Sequence, residues 1–117
     1  MRKRDAWMLG LLAVLPVAAV QAQQTKAEAG KEIAINRNKG NCLACHGVPA
    51  LAEADQTGNA GPPLIAMQAR FPDKRVLRDK IWDATASNPG TFMPPFGKHG
   101  ILTAEDIDQL VEFLYAL

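Results

Sequence analysis

Large apolar side chains are nearly absent between Asn36 and Pro63, where only Leu43, Val48 and Leu51 stand among polar, alanine, glycine, proline and cysteine residues. The stretches "NRNKGN" and "EADQTGNAGPP" read as loops that add little to a core. A small domain buries a modest share of its surface and often needs a staple. A middle this poor in apolar side chains implies that something other than side chains fills it. Alternation of period two is missing over any length, which removes the sheet architectures and leaves an all-α domain. No internal repeat and no long low-complexity tract is present. Basic and acidic residues number 13 and 12, so no charge excess recruits nucleic acid. Cysteine is scarce too. Cys42 and Cys45 are the only two, and both lie in "GNCLACHGVPA" beside His46.

The long apolar run of a membrane span is also missing. Ala6 to Val20 is uncharged but has only 15 residues and contains Pro16, which is short for a hydrocarbon core. It follows Arg2, Lys3 and Arg4 and precedes the small-residue exit "VQA" at 20–22. This order reads as a secretory signal peptide over residues 1–22, with an uncleaved anchor as the alternative. Cleavage would leave residues 23–117 as one domain. Loss of Arg2, Lys3, Arg4 and Asp5 leaves 10 basic and 11 acidic residues, a net charge of −1. Export makes a disulfide thinkable, so the cysteine motif has to be judged on its own spacing.

Four helical segments are expected. Thr25 to about Asn36 carries Ala29, Ile33 and Ala34 on one face. Gly30 inside it costs roughly 1 kcal/mol against alanine, which points to a close helix contact or a tolerated surface glycine. Leu64 to Arg70 is a short helix or turn. Lys74 to Ala86 places Val76, Leu77, the Lys80 stem and Ile81 on one face. "SNPGTFMPPFGKHG" has three prolines and three glycines in fourteen residues and is irregular. Thr103 opens the last helix, with Asp106 in the position of a capping box and a stripe of Ile107, Leu110, Val111 and Leu114 flanked by Phe113 and Tyr115.

Cys42, Cys45 and His46 stand at i, i+3 and i+4, which share one helix face. A flat macrocycle against that face can take both sulfurs as thioethers at its edge and His46 Nε2 on its iron. C-x-x-C-H is the c-type haem attachment signature, and a covalent haem c is the staple that the core requires. A structural zinc site needs four ligands, and only distant His99 could add a fourth histidine ligand. A thioredoxin-like motif needs a preceding strand. A plain disulfide leaves His46 unexplained.

For the far face of the iron, Met93 in the proline-stiffened "TFMPPFG" is the candidate, with His99, Met67 or an open site as alternatives. A Met/His pair raises the iron potential and suits electron transfer. The carbonyl of Pro62 in "GPPL" is placed to take the His46 Nδ1–H, unless the segment is simply a stiff turn. Trp82 is either a wall of the haem pocket or plain core. Arg70, Lys74, Arg75, Arg78 and Lys80 give a local basic stretch that either docks an acidic partner or faces water.

"CLACH", "GPPL" and "MPPFG", with an acidic-started last helix, resemble the small class I cytochromes c over residues 23–117. That resemblance implies an N-terminal helix crossing the C-terminal one, at Gly30 with Phe113 or Leu114. The wider run of "GNAGPPL", "MQARFPDK", "LRDKIWDAT" and "TFMPPFGKHGILTAEDID" resembles the SoxX family, the monohaem subunit of the SoxAX complexes of bacterial sulfur oxidation. The resemblance implies a periplasmic protein without a membrane anchor. It implies thioether attachment at Cys42 and Cys45, His46 as proximal ligand and Met93 as distal ligand. It further implies a SoxA-type haem subunit as partner, the SoxYZ carrier reached through that complex, and a downstream cytochrome as electron acceptor. The whole complex would be an L-cysteine S-thiosulfotransferase in which this chain carries electrons and no catalytic acid, base or nucleophile. A free-standing periplasmic electron carrier is the alternative.

Overall fold

The computed structural model describes residues 17–51 and 56–117. Four α-helices carry the fold: α1 (Val17–Ile35), α2 (Met67–Arg70), α3 (Lys74–Trp82) and α4 (Ala104–Leu114). Single 3-10 turns at Cys42–Ala44 and Ala84–Ala86 sit between them. No strand occurs among the described residues, as expected of an all-α chain.

Helix α1 starts earlier than expected because the alanine- and glutamine-rich stretch after Val17 has high helix propensity. The signal-peptide reading falls mostly outside the described residues. Residues 17–22 are exposed turns of α1, and its first side-chain bond to the domain is from Gln23 Nε2 to Glu112 at 3.0 Å. At the other end Gly40 N–H returns to Ile33 C=O at 3.1 Å, which folds the chain back beneath the helix.

The buried face of α1 is Gly30, Ile33 and Ala34, and it packs against α4. Gly30 is needed there. A Cβ at this position would lie 2.1 Å from the Gln109 carbonyl oxygen and 2.8 Å from Phe113 Cβ. Helix α4 begins with the expected capping box, Thr103 Oγ1 accepting from Asp106 N–H and Asp106 accepting from Thr103 N–H. It buries Ile107, Leu110, Val111, Phe113 and Leu114. Its end is tied down by Tyr115, whose hydroxyl donates to the Phe71 carbonyl.

Two expected helices are shorter in the structure. Residues 64–66 stay outside α2 because Ala66 adopts a left-handed φ of 50°, which breaks the helical path before Met67. Helix α3 stops at Trp82 because Asp83 leaves the helical region at φ −152° and turns its carboxylate onto Thr85 N–H. Such side-chain capture of backbone donors competes with helix continuation. Leu77 and Ile81 are buried on α3, whereas Val76 is 53% exposed and does not join the packed face. The core unites Ile33, Ala34, Met67 of α2, Leu77, Ile81 and the α4 stripe with Val48, Leu64, Phe96 and Leu102 from the connecting segments.

Candidate functional site

The site is built on one turn between Asn41 and His46. Asn41 enters it with left-handed φ 46°. Cys45 N–H donates to Cys42 C=O at 3.1 Å, and His46 N–H donates to the same carbonyl at 2.9 Å. The first bond is of 3-10 type and the second of α type. The expected helix is therefore a single mixed turn, ended by Gly47 and Pro49, and it still brings the two sulfurs and the imidazole onto one turn of chain.

Both thiols are unpaired, Cys42 half-buried and Cys45 exposed. Burial pushes the Cys42 thiol up to about 11, so it is neutral. Among the described residues no three His, Cys, Asp or Glu side chains are grouped to hold a metal ion.

His46 is fixed by the segment 61–64. Its Nδ1 lies 2.6 Å from the Pro62 carbonyl oxygen, so Nδ1 carries the donated proton and Nε2 keeps its lone pair. Gly61 lies flat against the ring, and a Cβ there would sit 2.4 Å from Cε1 and 2.6 Å from Nδ1. The segment is in turn bound to the cysteine turn by Gly61 N–H to Cys45 C=O at 2.8 Å. Two unpaired thiols and an imidazole with one nitrogen engaged and the other available fit a covalently held haem.

The sulfur candidates are separated by their surroundings. Met67 is 2% exposed within the core, and its Sδ accepts from Arg70 Nη1 at 3.4 Å. Met93 is half-buried in a loop without a ladder, its N–H donating to Thr91 Oγ1 at 3.1 Å. His99 is exposed. Trp82 is half-buried, with Arg78 over its ring at 5.5 Å and the Gly97 backbone against its face.

The basic stretch is committed internally. Lys74 pairs with Glu112 at 2.8 Å, Arg75 with Asp73 at 2.8 Å and Arg78 with Asp108 at 2.6 Å. Lys80 donates to Ser87 Oγ at 2.5 Å. Arg70 donates to the Pro63 carbonyl at 2.8 Å and the Ile65 carbonyl at 3.4 Å. It thereby braces the segment that holds His46, a role the sequence signalled only through its place at the end of α2.

Residues 25–114 match the family described as cytochrome c oxidase, cbb3-type, subunit III. An uncharacterized lipoprotein of Aquifex aeolicus is 36% identical over 78 residues, which are 66% of this chain and 36% of that protein. The cbb3-type cytochrome c oxidase subunit CcoP of Azospirillum sp. is 33% identical across 66% of this chain and 27% of its own length. The chain thus spans about a third of the curated relatives it matches. Among solved structures, the crystal structure of SoxXA from P. pantotrophus is similar at 31% identity and a TM-score of 0.68, covering 76% of this chain and 79% of that one.

Proposed function

The chain belongs to the class I cytochrome c family of the cbb3-type oxidase subunit III, an electron-carrying c-type cytochrome, and from its likeness to SoxXA we propose that it serves as the monohaem SoxX-type subunit of a SoxAX complex. Cys42 and Cys45 would hold one haem c through thioethers, with His46 Nε2 and Met93 Sδ as the ligands of its iron. When bound, the haem supplies a one-electron couple. The chain's own residues do the rest. Pro62 accepts the His46 Nδ1–H, which fixes the tautomer and keeps the ligating nitrogen basic. Gly61 lets that loop approach the ring. Trp82 lines the pocket on the α3 side. As a ligand, Met93 would deny small substrates the open position that oxygen or peroxide chemistry needs.

The observation that carries the haem reading is the His46 Nδ1 to Pro62 contact of 2.6 Å beside two unpaired thiols on the same turn. The subunit reading is supported by the likeness to SoxXA over three quarters of both chains. On that reading the protein is periplasmic after loss of residues 1–22. It accepts electrons released when thiosulfate is joined oxidatively to a carrier cysteine and passes them to another cytochrome. A free-standing carrier would share the haem chemistry but lack the permanent partner.

Two measurements test this. Met93→Ala is expected to abolish the thioether-to-iron absorption band of the oxidised protein, and persistence of the band would assign the ligand elsewhere. Purified natively from cells grown on thiosulfate, the protein is expected to elute with a second haem-bearing chain. Elution as a lone monomer at every salt concentration would leave the free-standing carrier.

A further inference from the structure

We propose that Asp83 is a positioning residue for Met93, acting through a clasp that closes the base of the loop in which Met93 sits. This rests on Met93 as the distal ligand. The loop leaves the core at Ala84 and returns at Lys98, with Met93 midway and no helical ladder around it. Both stems fasten onto the same three residues, 82–84. On the outgoing stem Asn88 N–H donates to Ala84 C=O at 3.1 Å. On the returning stem Gly97 N–H and Lys98 N–H both donate to Trp82 C=O at 3.1 Å.

Asp83 lies between these two anchor carbonyls and its carboxylate bonds to both stems. It accepts from Thr85 N–H at 3.1 Å and from the Thr85 hydroxyl on one side. On the other it accepts from Lys98 Nζ at 2.9 Å. The return register is fixed by contact as well. A Cβ at Gly97 would lie 2.1 Å from Trp82 Cε3, so the backbone meets the indole face at that residue. Pro89, Pro94 and Pro95 restrict the span between the stems. A stiff loop with a fixed base has few positions for its tip, whereas opening the base restores conformations in which the sulfur is displaced. The break of α3 at Asp83 thereby acquires a purpose: it frees the carboxylate to join the stems.

The test uses the full-length holoprotein, with imidazole as a competitor for the position that Met93 Sδ occupies. Oxidised protein is titrated well below its unfolding temperature, following the thioether-to-iron band. Asp83→Asn and Lys98→Met are each expected to tighten apparent imidazole binding about two- to five-fold, as befits a partly exposed pair. The double variant is expected to go no further than either single one, because the two residues act as a unit. A purely structural contribution would lower the melting temperature and leave imidazole affinity unchanged. Parental affinity in both single variants overturns the clasp. Met93→Ala separates the two layers. Loss of the band there with parental titration of Asp83→Asn refutes the clasp alone, and survival of the band there refutes the ligand reading and the clasp together.

Discussion

His46 is oriented by residues that offer it no side-chain bond. Pro62 contributes a carbonyl and Gly61 contributes the absence of a Cβ. Pro62 was legible in advance, since consecutive prolines donate to no ladder and leave their carbonyls for other partners. The Gly61 contact was not legible, because it depends on the path by which residues 58–61 return across the cysteine turn. Arg70 was legible only in part. It is exposed, as a member of a surface stretch should be, yet its guanidinium also reaches two loop carbonyls and the Met67 sulfur. Gly61→Ala puts a methyl group where the ring stands, so the ring or the loop has to give way. Overpacking of this kind costs about 1–3 kcal/mol. Chemical denaturation of the holoprotein is expected to show a loss in that range, together with a changed iron potential as the Pro62 bond lengthens. An unchanged midpoint and potential would mean that the ring does not rest on Gly61.

Helices with a steady apolar stripe were readable. The capping box and buried face of α4 follow directly from Thr103, Asp106 and the spacing of Ile107, Leu110, Val111 and Leu114. Ends decided by tertiary partners were not. Leu64 N–H ties its segment to Gly47 and the left-handed Ala66 then delays α2 to Met67, and Asp83 ends α3 by capping the next turn. Gly30 lies between these cases. Its propensity cost hinted at a close contact, and the structure supplies it in the Gln109 carbonyl and Phe113. Gly30→Ala would gain helix propensity in α1 but drive a methyl group into the backbone of α4. Backbone yields less readily than a flexible side chain, so the steric term wins. A net loss of about 1–3 kcal/mol is expected, read as a lower denaturation midpoint. A rise in stability would show that α1 and α4 can separate without penalty.

Over the whole molecule, charge is spent on holding segments together. Lys39–Asp106 ties the turn after α1 to the start of α4, Lys74–Glu112 and Arg78–Asp108 tie α3 to α4, and Lys98–Asp83 closes the Met93 loop. Two members of the basic stretch, Lys74 and Arg78, thus pair with acids of α4, while Arg75 faces water with its side chain 86% exposed. The pairing sets the response to acid. Asp106 is held below its ordinary value of 3.8 by bonds from the Thr103 backbone and Lys39. Asp83 is held below the same value by the Thr85 hydroxyl and Lys98. Burial alone would raise Glu112, but bonds from Lys74 and Gln23 outweigh it and leave it below 4.5. Each group binds fewer protons folded than unfolded. Its contribution is therefore present above the unfolded value and disappears as pH falls through the folded one. Melting temperature is expected to stay level from neutral pH down to about 5 and to fall below about 4.5. The fall is expected to be shallower in Asp106→Asn, which starts lower at neutral pH and has one pair fewer to lose. Equal acid slopes in the parent and in Asp106→Asn would show that the Thr103 N–H bond and Lys39 do not hold the Asp106 carboxyl down in solution.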